Sequence, residues 1–471
     1  MLNLNDFFIL MKHELLLVVI LFALLIIKVF TTDLKTKSVV KVVNIALCLN
    51  FILGLFLNKE GWLFADMFYT NHVIVFQKNI LNLGVLIISF QSFNWFKTHQ
   101  HVTEFYILMI SSLLGMFYML SSGNLLMFYL ALELSTIPIA ALANFDLEKR
   151  KSSEAAMKLI FSSALSSGLL LLGISLLYGS TGTINFFELS NFITGTPLQL
   201  FSFILIFTGF AFKISAVPFH LWTADVYEGS PIAITSYLSV ISKATISFVF
   251  VYVLYDVFKS FGTVWYNMIF LISVATMLVG NLFAMRQKNM KRFLAFSSIA
   301  QVGFLLIGIS SYSIEGATFV VYFILIYIFS NLAAFGVIAV VSAVCDKENI
   351  DDYKGFYKTN PVLTWVLTLA LFSLAGIPPT AGFFGKFFLL IAGASKGNYL
   401  LIVIAALNMV ISLYYYLKVV KAMFMDENEN PIEKIKIDFL PKVSFIFCIL
   451  GIVITGLYSN VYEYIYNLFI S

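Results

Sequence analysis

About fourteen stretches of this chain are apolar over roughly 20 residues, the length an α-helix needs to cross the hydrocarbon of a bilayer. They lie near residues 7–30, 39–57, 77–96, 104–121, 123–144, 153–178, 200–222, 232–255, 265–285, 293–311, 315–343, 361–394, 398–424 and 441–464. Water is absent from the bilayer core, so each run must satisfy its own backbone N–H and C=O groups, and a helix does so. Only 11% of the residues are charged, against about 25% in an ordinary soluble domain. The sequence therefore predicts an all-α polytopic membrane protein. No stretch between the runs is long enough for a soluble domain with its own core, and no nucleic-acid partner is expected. The first run is longer than a cleavable signal's core and lacks a small-residue cleavage site, so it is read as a true helix. Cys48, Cys345 and Cys448 are far apart and form no metal or disulfide pattern.

Charge placement gives orientation. The loops after odd-numbered runs hold 19 of the 29 lysines and arginines, whereas the N-terminal segment and the opposite loops hold five, Lys78 among them. By the positive-inside rule both termini face away from the cytoplasm, or from the equivalent matrix or stroma, which in a bacterial plasma (inner) membrane puts them on the periplasmic side. A miscount of runs would have blurred that contrast.

Five basic residues remain: Lys28, Lys158, Lys213, Lys243 and Lys386. Lys28 and Lys158 stand near run ends, where a long side chain reaches water. Lys213, Lys243 and Lys386 lie deep, and Glu133, in "FYLALELSTIPIAAL", is read as the one acid at similar depth. An ionisable group at the bilayer centre costs about 2.5–3.5 kcal/mol. A buried ion pair locking two helices is the competing explanation, but one acid neutralises at most one of three lysines. The others must find water or shed a proton, which is what a proton relay requires.

The backbone is disturbed beside two of these lysines. "GFAFKISAVPFHLW" puts Pro218 inside the seventh run, and "AGIPPTAGFFGKF" puts adjacent prolines and three glycines inside the twelfth. Neither is one regular helix, and broken helices at membrane depth line protein-enclosed or hydrated sites. The two broken runs are five apart. Two five-helix units, residues 104–257 and 258–424, would then form inverted repeats, each a half-channel, preceded by three helices in 1–103 and followed by a last helix in 425–471. On that orientation His220, Asp225 and Glu228 lie near the cytoplasmic surface, and Lys386 lies past the midplane toward the outside. His220 titrates near neutrality and is a candidate for proton uptake, or an ordinary interfacial hydrogen bonder. Ser242, Ser297, Gln301, Asn331 and Asn408 are candidates to order water, or ordinary contacts between helices.

The segments "LALELSTIPIAAL", "GFAFKISAVPFHLWTADVYEGSP", "SKATISF", "NMKRFLAFSSIAQVGFLLIG" and "LFSLAGIPPTAGFFGKFFLL" resemble the antiporter-like membrane subunits of respiratory complex I, the proton-pumping NADH:quinone oxidoreductase. The likeness runs from about residue 125 to about residue 390. It implies a fourteen-helix fold with inverted repeats and assembly beside other membrane and peripheral subunits in the lipid bilayer. It assigns Glu133 and Lys213 as a coupled pair, Lys243 as a central relay and Lys386 as the exit-side residue. NADH, FMN, iron–sulfur clusters and quinone would belong to partner chains, with no cofactor or metal in this one. Lys386, where one sibling type has an acid, and the lack of another sibling's long C-terminal extension narrow the likeness further. Two departures stand out: Gln301 where relatives often have His, and Ala224 where "WTPDVYEG" is usual.

The expected function is proton translocation from the cytoplasm outward, coupled to quinone reduction elsewhere in the complex. The nearest alternative is a subunit of a multi-subunit Na⁺/H⁺ antiporter. A haem-binding redox subunit is disfavoured, because none of His13, His72, His99, His101 and His220 is read at mid-run.

Overall fold

The computed structural model describes residues 4–30, 35–56 and 59–470. Among them, twelve helices are long and apolar enough to cross a membrane. Two further runs are split. The seventh gives Pro197–Lys213 and Leu221–Gly229, and the twelfth gives Pro361–Ala375 and Ala381–Ala394. The breaks fall where the prolines predict them. The only sheet among the described residues is the hairpin Gly61–Leu63 with Phe68–Thr70, Trp62 opposite Tyr69.

The burial pattern is that of a protein in lipid. Leu130, Ile137, Phe161, Leu165, Val403 and Leu407 point outward, while Lys243, Lys386, Asn331 and Gln301 are buried. Arg150–Thr181 and Ile314–Cys345 have 32 residues each. At 1.5 Å per residue they are about 48 Å long, so they tilt within or protrude from a hydrocarbon layer about 30 Å thick.

Two compact units are present, each described by itself. One comprises residues 1–86, 99–214 and 242–265. Its closest helix pairs are Val102–Leu120 with Leu125–Ala143 and Arg150–Thr181 with Pro197–Lys213. Gly115 permits the first pairing, since a Cβ there would lie 2.6 Å from the Ser135 backbone nitrogen. With no hydrophobic drive between helices in lipid, such close backbone contact supplies the cohesion. The other unit comprises residues 87–98, 215–241 and 266–471. Its centre is Met290–Ser310 and Ile314–Cys345, apolar on all sides and buried along nearly their whole length.

Lys28 and Lys158 meet Glu104 at 2.9 Å and Glu154 at 2.8 Å in partly exposed ion pairs, as their positions near run ends suggest. Lys78 does not lie in a loop. It is inside the helix His72–Gln91 and fully buried against an equally buried Glu14, so Glu133 is not the only deep acid.

Candidate functional site

Lys213 is the last residue of Pro197–Lys213, the half-helix that ends at the break. Beyond it the chain turns through Ser215, at φ 65°, and a cis Val217–Pro218 bond, with the Val217 amide donating to Thr276 Oγ1 at 3.0 Å. The ammonium of Lys213 donates to Thr136 Oγ1 at 2.7 Å and to Ser163 Oγ at 3.0 Å. Thr136 stands one turn after Glu133 on the same face of Leu125–Ala143. Glu133 acts on Lys213 electrostatically but makes no direct ion pair with it, and its Oε1 is buried without a hydrogen-bond partner among the described residues. Lys213 thus rests on two hydroxyls rather than on the Glu133 carboxylate. Neither Thr136 nor Ser163 stands out in the sequence, because a hydroxyl on an apolar helix carries no signal of what it faces.

Lys243 is 4% exposed and opens the α-helical stretch Lys243–Tyr252 directly after a π-helical turn, Leu238–Ser242. A π-turn inserts a residue into the helical register, a device frequent at functional sites. Ser242, half-buried, ends that turn. Phe210 is sandwiched between Phe128 at 5.0 Å and Phe250 at 4.9 Å, both stacked. This triple stack ties together the helices that carry Glu133, Lys213 and Lys243, about one to two turns from those charges.

In the second unit Lys386 lies in the half-helix Ala381–Ala394, 1% exposed. It donates to the Leu374 carbonyl at 2.7 Å and the Ala375 carbonyl at 3.3 Å, and its ammonium lies 4.8 Å from the Phe304 ring centre. The break explains these acceptors. Ending a helix orphans its last carbonyls and concentrates the negative end of its dipole there, which suits an ammonium. Lys213 precedes its break and Lys386 follows its own, so the two lysines are not equivalent by position.

Gln301 Nε2 donates to the same Leu374 carbonyl at 2.9 Å and to Tyr416 Oη at 3.3 Å. Ser297 Oγ is also bonded to Tyr416 Oη. Asn408 accepts from Asn281 Nδ2 at 2.9 Å, and Asn281 in turn accepts from Tyr415 Oη at 2.8 Å. Asn331 is buried in Ile314–Cys345, with neither amide atom in a hydrogen bond among the described residues. His220 is buried at the start of Leu221–Gly229. Asp225 and Glu228 are on that helix, and Arg292 holds them at 2.7 and 3.1 Å.

The family model for the NADH:quinone oxidoreductase/Mrp antiporter transmembrane region matches residues 122–412. NADH-quinone oxidoreductase subunit N of Phocaeicola vulgatus is 46% identical over 409 residues, 86% of this chain and 87% of that one. A chain of respiratory complex I from Thermus thermophilus with bound aureothin superposes with a TM-score of 0.81 at 26% identity, covering 96% of this chain and 98% of that one. A chain of the Mrp complex from Dietzia sp. superposes with a TM-score of 0.86 at 19% identity, covering 97% and 96%. Shape alone does not separate the two assemblies, since the higher TM-score goes with the lower identity; sequence does. This chain is a multi-pass membrane protein that belongs to the NADH-quinone oxidoreductase subunit N family.

Proposed function

We propose that this chain is a proton-translocating membrane subunit of complex I in which Glu133, Lys213, Lys243 and Lys386 carry protons outward while quinone is reduced in partner subunits. The observation that carries the relay is the placement of the Lys213 ammonium on Thr136 and Ser163, one helical turn from a Glu133 oxygen that has no hydrogen-bond partner among the described residues. The lysine has two resting places, one beside a carboxylate and one between neutral hydroxyls. Paired with Glu133 it retains its proton; drawn onto the hydroxyls it passes the proton through water to Lys243 and on toward Lys386.

The magnitudes permit this. Two unit charges 4 Å apart at an effective dielectric of 20 interact by about 4 kcal/mol, and moving one charge against 100 mV takes about 2.3 kcal/mol. The driving energy comes from neighbouring membrane and peripheral subunits, which hold NADH, FMN, the iron–sulfur clusters and quinone; this chain contributes no redox centre. Both termini face the periplasm, His220 is a point of proton uptake, and Ser242, Ser297 and Gln301 order water. The fold is shared with the Mrp complex, but the sequence favours complex I over a Na⁺/H⁺ antiporter.

Lys213→Ala in the intact complex tests the reading. Assembly should persist, while coupled quinone reduction and proton pumping into proteoliposomes fall. An assembled complex that pumps at the wild-type rate would overturn it.

A further inference from the structure

A second cluster of buried ionisable groups lies in the first unit, at the start of the helices Lys12–Phe30 and His72–Gln91. Lys78 Nζ contacts Glu14 Oε1 at 2.6 Å and donates to Ser121 Oγ at 2.6 Å. The hairpin closes over it, with the Phe68 ring centre 5.1 Å from the ammonium and the Tyr69 amide bonded to the Ser121 carbonyl. Glu14 and His13 are each 1% exposed, and Lys78 is 0% exposed.

The protonation of His13 can be read from its partners. Asn82 Nδ2 donates to the Leu47 carbonyl at 2.8 Å, and a carbonyl only accepts, so Asn82 Oδ1 is left to accept from Asn50 Nδ2 at 3.2 Å. That orientation turns Asn50 Oδ1 toward His13 Nδ1 at 2.9 Å, which must therefore carry the hydrogen. The lone pair is on Nε2, and Nε2 is buried with no hydrogen-bond partner among the described residues. A lock between helices needs only the Glu14–Lys78 pair. It does not need an imidazole oriented through two asparagines to keep a basic nitrogen unengaged, an arrangement that is a standing cost in a buried site.

We propose that His13, Glu14 and Lys78 form a second proton-holding site beneath the Gly61–Thr70 hairpin, separate from the relay through Glu133, Lys213, Lys243 and Lys386. The proton binds at His13 Nε2 once Lys78 has released its own to water: an N–H bond forms, an O–H bond of a hydrated proton breaks, and the Glu14 carboxylate balances the imidazolium as it otherwise balances the Lys78 ammonium, so the cluster holds one proton at a time. The groups facing the imidazole are Lys78, Lys12 and Asn50, with the Phe117 ring edge-on at 5.9 Å; Tyr118 faces Glu14. Which side of the membrane the site serves follows the orientation proposed above, whereas its capacity to bind a proton does not.

The test uses the intact complex in proteoliposomes with His13→Gln, His13→Asn and the double variant Glu14→Gln/Lys78→Met, which removes both charges together and strands neither. Pumping is measured at pH 6 and pH 8, beside infrared difference spectra of isotope-labelled histidine between the same pH values. At least one variant should assemble with its uncoupled NADH oxidation retained, and its pH 6 to pH 8 pumping ratio should change by about twofold or more. An assembled His13 variant should also lose one histidine signal from the difference spectrum. Wild-type pumping ratios with no histidine signal lost would overturn the proposal. Failure of all three variants to assemble would do so as well, by assigning the cluster a purely structural part.

Discussion

Gln301 and Lys386 donate to one carbonyl oxygen, that of Leu374, at 2.9 and 2.7 Å. The helix break after Ala375 leaves that oxygen without its intrahelical partner, and two side chains from different helices converge on it. Gln301, where the resemblance leads one to expect His, thus keeps a donor at this position although it does not titrate. Replacing Gln301 by Leu should lower the melting temperature of the intact complex, at a cost of about 1 kcal/mol for a lost neutral hydrogen bond. Gln301→His, which retains a donor, should keep proton pumping within about twofold of wild type. Thermal melts and pumping assays on the two variants check this.

The hydroxyls that hold Lys213 are open to the same kind of trial. Hydrogen bonds to a charged group contribute about 1.5–3 kcal/mol each, so removing both biases the lysine strongly toward Glu133. The double variant Thr136→Val/Ser163→Ala should assemble normally and pump at least about tenfold more slowly, since roughly 1.4 kcal/mol is tenfold in an equilibrium. Proton uptake per NADH oxidised is the measurement. Unchanged pumping would show that the hydroxyls are not a working position of the lysine.

Gly382 stands where the two halves of the twelfth run cross. A Cβ there would lie 1.7 Å from the Ser373 carbonyl oxygen, and backbone cannot yield to it cheaply. Gly382→Ala should therefore push the half-helices apart, displace Lys386 from its carbonyls and sharply reduce assembled complex on native gels. Gly168→Ala, with nothing within 4 Å of the added carbon, is the matched control and should assemble normally.

Outside the membrane, Asp146 in the loop after Leu125–Ala143 accepts from His99 at 2.9 Å and meets Lys149 at 3.4 Å. Burial pushes its carboxyl up, but the His99 hydrogen bond and the Lys149 charge outweigh burial and hold it below the usual carboxylate range. A depressed carboxyl stabilises above its unfolded value of about 3.9 and loses that contribution as pH falls through the lower folded value. Amide exchange in this loop should accordingly stay slow from pH 7 to about pH 4 and quicken below it. In Asp146→Asn it should be fast throughout.

The residues proposed for the relay were legible because charge inside an apolar run is conspicuous, and the breaks because proline and glycine announce them. Glu14 and Lys78 were not. Each stands near the start of its run, where a charged residue reads as interfacial, and their pairing across 64 residues is a product of packing. The π-turn before Lys243 has no signature either, since "LSVIS" differs in nothing from ordinary helix. Whether Glu133 and Lys213 stand paired or apart is a matter of side-chain position along one turn, which no spacing records.

The stack of Phe128, Phe210 and Phe250 bears on how such a switch could move at all. Three rings in face contact across three helices leave those backbones little freedom to slide past one another. What remains free is the four-carbon stem of Lys213, a flexible tether with rotatable bonds ending in a point charge. The part that travels is then an arm a few ångströms long, swung on a stationary frame, and a proton can change hands without any helix leaving its place.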